Sequence, residues 1–135
     1  MAAAPDVWHL LGVRRLALLL APLLAVGACR DHGSTTADVV DQSWRAHELV
    51  IAAGEHEPTC AAAGAAMQKV FAANRQAFVD GLALDKDRKR LEEATDYIAA
   101  REQRYGDLDT RMQGLAERCA ADETVMAVFR WMESP

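Results

Sequence analysis

Catalytic motifs are what this 135-residue sequence most clearly lacks. It has no G-x-S-x-G, C-x-x-C, C-x-x-C-H, Walker loop or G-x-G-x-x-G, and after residue 28 its only serines are Ser34, Ser43 and Ser134. A missing motif does not exclude an enzyme. A small, Ala-rich chain with few polar core positions nevertheless offers little room for a converging acid, base and nucleophile. The expectation is therefore a non-enzymatic protein without a cofactor. Basic charge is also short. The net charge is −5, and removing residues 1–28 takes away Arg14, Arg15 and Asp6, leaving 13 basic against 19 acidic residues, or −6. Phosphate backbones need clustered Lys and Arg, so nucleic acid is excluded as a partner. Aromatic residues are few, with three Phe, two Tyr and three Trp, and no strand-like alternation runs through the chain. Abundant alanine favours helix.

A long apolar run is missing as well. The longest is LALLLAPLLAV, Leu16 to Val26, and its 11 residues fall far short of the roughly 20 that span a bilayer. Pro22 would interrupt a membrane helix besides. Behind Arg14 and Arg15 the run instead suits the core of a cleaved signal segment. It ends in Val26-Gly27-Ala28-Cys29. Across residues 14–29 the sequence resembles bacterial lipoprotein precursors, whose lipobox is an aliphatic residue, two small residues and a cysteine. Val26 stands where Leu is more usual.

The resemblance implies a diacylglycerol on the Cys29 thiol, cleavage between Ala28 and Cys29, and acylation of the new amine. Several acyl chains together anchor a protein stably where one is marginal. The rival is an ordinary secretory signal cut before Ala28, with Ala25 and Gly27 as its small residues. Residues 1–13 are long for a leader's basic region, and a start at Val13 would give a compact leader. A twin-arginine reading of Arg14-Arg15 is weak, because the flanking residues that this signal prefers are missing. Arg30 follows the cysteine. In Gram-negative lipoproteins Asp at that place retains the protein in the inner membrane, so the resemblance implies the periplasmic face of the outer membrane if the host is Gram-negative.

Residues 29–37 read as a polar tether and 38–135 as one helical domain. The expected class is all-α: a small bundle of about four helices, 38–53, 58–81, 86–120 and 122–133, around a long antiparallel hairpin. In the first helix Val40, Trp44, His47 and Ile51 share a face, Thr36 suits the N-cap and Gly54 the C-terminal stop. Pro58 fits the first turn of the second helix, whose stripe is Cys60, Ala63, Met67, Val70, Phe71, Asn74, Phe78 and Leu82. Asn74 either fixes register or faces solvent. In the third helix Leu84, Leu91, Ile98, Tyr105, Met112 and Cys119 recur every seven residues. Ala94, Leu108 and Leu115 fill the complementary positions, with Arg101 the exception. Gly106 is the candidate kink, and the hairpin turn falls near Gly81 to Asp87. Asp122 suits the N-cap of the last helix. The seam can be satisfied within one chain or between two.

Three cysteines leave two once Cys29 carries lipid. Cys60 and Cys119 are expected to form a disulfide in an oxidising compartment. An ideal hairpin turning near Lys86 puts Met112, not Cys119, opposite residue 60. The bond therefore requires a later turn, a later helix start or a bent third helix. The rival is two buried thiols.

Two charged clusters remain. Lys86, Arg88, Lys89 and Arg90 crowd the expected turn, where positive charge opposes the helix dipole. They are either a solvated run balanced by Asp85 and Asp87 or a contact for an anion or partner. His47, Glu48, Glu55, His56 and Glu57 match no zinc spacing and read as a helix end with its acidic loop. The expected function is a lipid-anchored envelope protein that binds another protein, with the membrane as second partner through Cys29. The alternative is an inhibitor of a cell-wall hydrolase. A metal carrier or enzyme using His47 and His56 ranks last.

Overall fold

The computed structural model describes residues 33–135. The leader, the alternative start, Cys29 and most of the tether lie outside these residues. The described chain is an all-α bundle of five helices: α1 (Thr36–Glu55), α2 (Cys60–Ala83), α3 (Arg88–Ala99), α4 (Glu102–Arg118) and α5 (Glu123–Glu133), with a short 3-10 turn at Leu84–Lys86. None of these helices is long and apolar enough to cross a membrane.

Local chemistry sets the helix ends. Thr35, not Thr36, caps α1, and it forms a capping box with Asp38. The Asp38 amide donates to Thr35 Oγ1, and the Thr35 amide donates back to Asp38 Oδ2, each at 3.1 Å. The Thr35 hydroxyl also donates to Asp38 Oδ2, at 2.7 Å, and this bond, with that from the Thr35 amide, holds the Asp38 carboxyl below its ordinary range. Thr59 caps α2, so Pro58 precedes the cap instead of occupying the first turn. Asp87 caps α3 and accepts from the Lys89 and Arg90 amides. Asp122 caps α5, as its position before an apolar run suggests.

The hairpin at the centre is α1 against α2. Ser43 lies beside Gly81 and Gly54 beside Met67, so the two helices run antiparallel. Gly54 does not stop α1. It is buried inside the helix, one residue before the end, and it lets α1 approach Met67 and Leu115 closely. α5 packs on α2 through Gly64, which sits against Thr124 and Val125. The main core joins Val50 and Ile51 of α1, Met67 and Phe78 of α2, Leu108 of α4 and Val128 of α5. Asn74 makes no bond to another helix; its Nδ2 donates to the Val70 carbonyl one turn back.

The expected single helix over 86–120 is two helices. The break falls at Ala100 and Arg101, not at Gly106, which is exposed within α4. Arg101 leaves helical geometry at φ −131 and ψ 27. Its guanidinium lies over the Tyr97 ring, 3.6 Å from the centroid, and donates to the Tyr97 carbonyl. The interruption lets two tyrosines eight residues apart reach one carboxylate. Tyr97 Oη donates to Asp41 Oδ2 at 2.8 Å and Tyr105 Oη to Oδ1 at 3.4 Å. On an unbroken helix their Cα atoms would stand about 12 Å apart along the axis. The heptad seam is split accordingly. Leu84, Tyr105 and Cys119 are buried, whereas Leu91 and Ile98 are exposed.

The break also resolves the cysteine register. Cys60 opens α2 and Cys119 caps the end of α4. They form a disulfide with a Cα–Cα distance of 5.5 Å across 59 residues of sequence.

Candidate functional site: an acidic-rimmed apolar cleft

The four clustered cations do not share one set of contacts. Arg88 pairs with Glu92 at 3.1 Å and Lys89 with Glu93 at 3.8 Å, one turn along α3. Arg90 turns inward, donating to Thr36 Oγ1 and to the Ser34 carbonyl, and Glu93 accepts from the same threonine. Arg90 thus fastens α3 to the start of α1. Lys86 makes no ion pair among the described residues. Exposed i,i+4 pairs of this kind contribute little to stability, but they cancel the local field that an anion would need.

His47 and His56 are separated as well. Both lie near the C-terminal half of α1, yet His56 is exposed at its cap while His47 is half-buried against Phe78, with ring centroids 4.6 Å apart. Glu48 accepts from Trp44 Nε1, and Glu55 is held by Arg111 through three hydrogen bonds of 2.7 to 3.2 Å. No three His, Cys, Asp or Glu side chains among the described residues converge as metal ligands.

The site that sequence reasoning missed is a cleft. α3 carries Leu91, Ala94, Thr95 and Ile98 on one face, at helical spacings of three and four. Only Ala94 is buried; Leu91 is 40 % exposed and Ile98 39 %. The face stands off from the rest of the bundle and leaves a cavity of about 250 Å³. Its other walls are Val40, Trp44 and His47 of α1 and Phe78 and Leu82 of α2. An adjoining depression shares Trp44, Thr95 and Ile98 with it and is lined further by Glu102, Tyr105 and Asp109 of α4. Leu82, 38 % exposed, completes an apolar lip. Soluble proteins seldom leave such residues together on a surface without a use for them.

Three carboxylates border this depression, Asp85 near one end and Glu102 and Asp109 toward the other, and no Lys or Arg lines it. None of the three takes part in an ion pair among the described residues. His47 supplies a polar point in the wall. Its Nδ1 lies 2.8 Å from the Ser43 carbonyl. A carbonyl only accepts, so Nδ1 carries the proton and Nε2 is left as an acceptor. Burial pushes the His47 pKa down, which keeps the ring neutral.

Sequence reasoning named Leu91 and Ile98 but assigned them to a coiled-coil seam. The available signal was Arg101, the one seam position that breaks the pattern, which marks where α3 ends. Compared with protein-family models, curated proteins and solved structures, the chain matches none.

Proposed function

We propose that this is a lipid-anchored, non-enzymatic helical module of the bacterial cell envelope, and that it binds another protein through the cleft between α1, α2 and α3. The cleft carries this reading: Leu91 and Ile98 of the apolar stripe on α3 are left exposed, and neighbouring carboxylates border them. Such a surface suits recognition of another protein better than chemistry. The V-G-A-C sequence supports the anchor. Six residues separate Cys29 from Thr36, so an anchored domain is held within about 25 Å of its membrane. The compartment is then the cell envelope, on the periplasmic face of the outer membrane in a Gram-negative host.

Two experiments test the reading. The intact mass of membrane-extracted protein should equal residues 29–135 plus acyl groups; an unacylated chain starting at Met1 would remove the anchor. Benzoylphenylalanine placed at Leu91 should give a discrete protein adduct in the native host, while the same group at exposed Lys69 should not. No adduct at position 91 would remove the protein-binding assignment.

A second reading is favoured by the carboxylates at the cleft and the net acidity of the chain: inhibition of a cell-wall hydrolase, many of which are basic. Titration against muramidases and amidases separates it from binding without inhibition.

A further inference from the structure

We infer that the cleft takes a cationic amphipathic helix, its apolar face against Leu82, Leu91 and Ile98 and its Lys or Arg side chains beside Asp85, Glu102 and Asp109. The inference rests on the protein-binding reading above and specifies the partner's chemistry.

Three observations converge on that occupant. The first is charge. Three carboxylates border an apolar surface lined by no Lys or Arg, and none of them is in an ion pair among the described residues. An anionic segment would meet like charge at both ends, whereas a cationic one gains complementarity there.

The second is shape. All the walls are helices, and no strand edge exists among the described residues to pair with an extended peptide. Such a peptide would bring unpaired backbone groups against apolar side chains, but a helix satisfies its own. α3 has 12 residues, about 18 Å of axis, so it can flank three to four turns of a partner.

The third is the pattern on α3. Leu91, Ala94 and Ile98 have the spacing of a helix face meant to pack on another helix, yet Leu91 and Ile98 stay partly exposed. A docked helix would cover them and turn an open face into a closed bundle. His47 would not oppose a cation there, since its ring is neutral, and its Nε2 can accept from a lysine or arginine that reaches the floor.

The test uses the full chain in phosphatidylcholine nanodiscs, with empty nanodiscs as the blank. The probe is a fluorescent Leu/Lys amphipathic helix of about four turns; its Leu/Glu counterpart is the control. Anisotropy should show saturable binding of the Leu/Lys helix and binding at least about tenfold weaker for Leu/Glu. Neutralising the cleft with Asp85→Asn, Glu102→Gln and Asp109→Asn should weaken binding by about tenfold, as should Leu91→Asn with Ile98→Asn. Removing the same charge elsewhere, with Asp96→Asn, Glu117→Gln and Glu133→Gln, should leave it unchanged.

Photoleucine in the probe, used with the unmodified chain, should crosslink within the segment set that forms the cleft, residues 40–47 and 78–109. This readout is independent of how well any variant folds. Equal binding of the two helices, equal loss with the remote set, or crosslinks outside those segments would overturn the inference. So would a position-91 adduct of twice the chain's own mass, because a second copy would then be the occupant. If position 91 yields a partner in the host while the Leu/Lys helix does not bind, the protein-binding reading stands and the cationic helix falls. If both fail, both readings fall.

Discussion

Gly64 of α2 lies directly beneath Thr124 of α5: a Cβ on the glycine would stand 2.9 Å from the threonine Cβ and 3.2 Å from the Val125 backbone nitrogen. The helices meet at backbone distance, and backbone cannot yield as a side-chain tip can. Gly64→Ala should therefore destabilise the domain by about 1–3 kcal/mol. Gly54→Ala should cost less, because the atoms a Cβ there meets first, Leu115 Cδ2 and Met67 Sδ and Cγ, belong to side chains. Gly114→Ala, where no neighbour lies within 4 Å on the surface of α4, should instead stabilise by about 0.5–1 kcal/mol through helix propensity. Urea midpoints of the three variants check the order.

The disulfide between Cys60 and Cys119 spans 59 residues of sequence. Closing a loop of this size removes about 4 kcal/mol worth of entropy from the unfolded chain. The Cys60→Ala, Cys119→Ala double variant should lose stability of that order, and adding reductant to the unmodified protein should reproduce most of the loss. Equilibrium unfolding with and without reductant measures both.

His47 makes stability depend on pH. Burial against Phe78 and the neighbouring helices lowers its folded pKa below the ordinary 6.5, outweighing the bond to the Ser43 carbonyl and the pull of Asp109. As pH falls through 6.5 the unfolded chain takes up a proton that the folded chain refuses. Stability should therefore drop below about pH 6.5 and level off once the folded imidazole also protonates. His47→Gln should flatten this part of the profile. Thermal melts between pH 5 and 8 show whether it does.

Arg111 and Glu55 tie α4 to the end of α1. Both side chains remain about a third exposed, at 31 % and 34 %, so solvent weakens the pair. A double-mutant cycle should give a coupling of about 0.5–1 kcal/mol, and Arg111→Lys should lose most of it, because an ammonium cannot match the two-pronged contact. The hydrogen bond from Arg111 holds the Glu55 carboxyl below its ordinary 4.5. Its share of stability is present above that value and is lost as pH falls through the lower folded pKa.

The sequence was most legible where a local rule acts alone. Asp122 caps α5 because a carboxylate before an apolar run satisfies a free amide, whatever lies across the bundle. The turn expected near Gly81 to Asp87, against a continuous helix through that segment, is present as the 3-10 turn at Leu84–Lys86. The cap of α1 was displaced by one residue, because Thr35 and Thr36 are chemically alike and only the bond to Asp38 selects between them. The basic run was readable as charge, but not as four separate fates. Whether Arg90 turns toward Ser34 or outward depends on where α1 begins in space.

By itself, then, the sequence determined an all-helical bundle, because alanine abundance and apolar spacing act within a few turns of chain. The Cys60–Cys119 pair was expected from the sequence only by setting Cys29 aside as a lipidation candidate, and the structure joins those two. Tertiary structure alone decided that the third segment breaks at Arg101. Arg101 flags an irregular seam position, but one exception does not say whether a helix breaks there; in the fold, Tyr97 and Tyr105 on either side of the break both bond Asp41 of α1. The break in turn leaves Leu91 and Ile98 outside the core and opens the cleft. Periodicity reports which residues share a face. Only packing in three dimensions reports whether that face is covered.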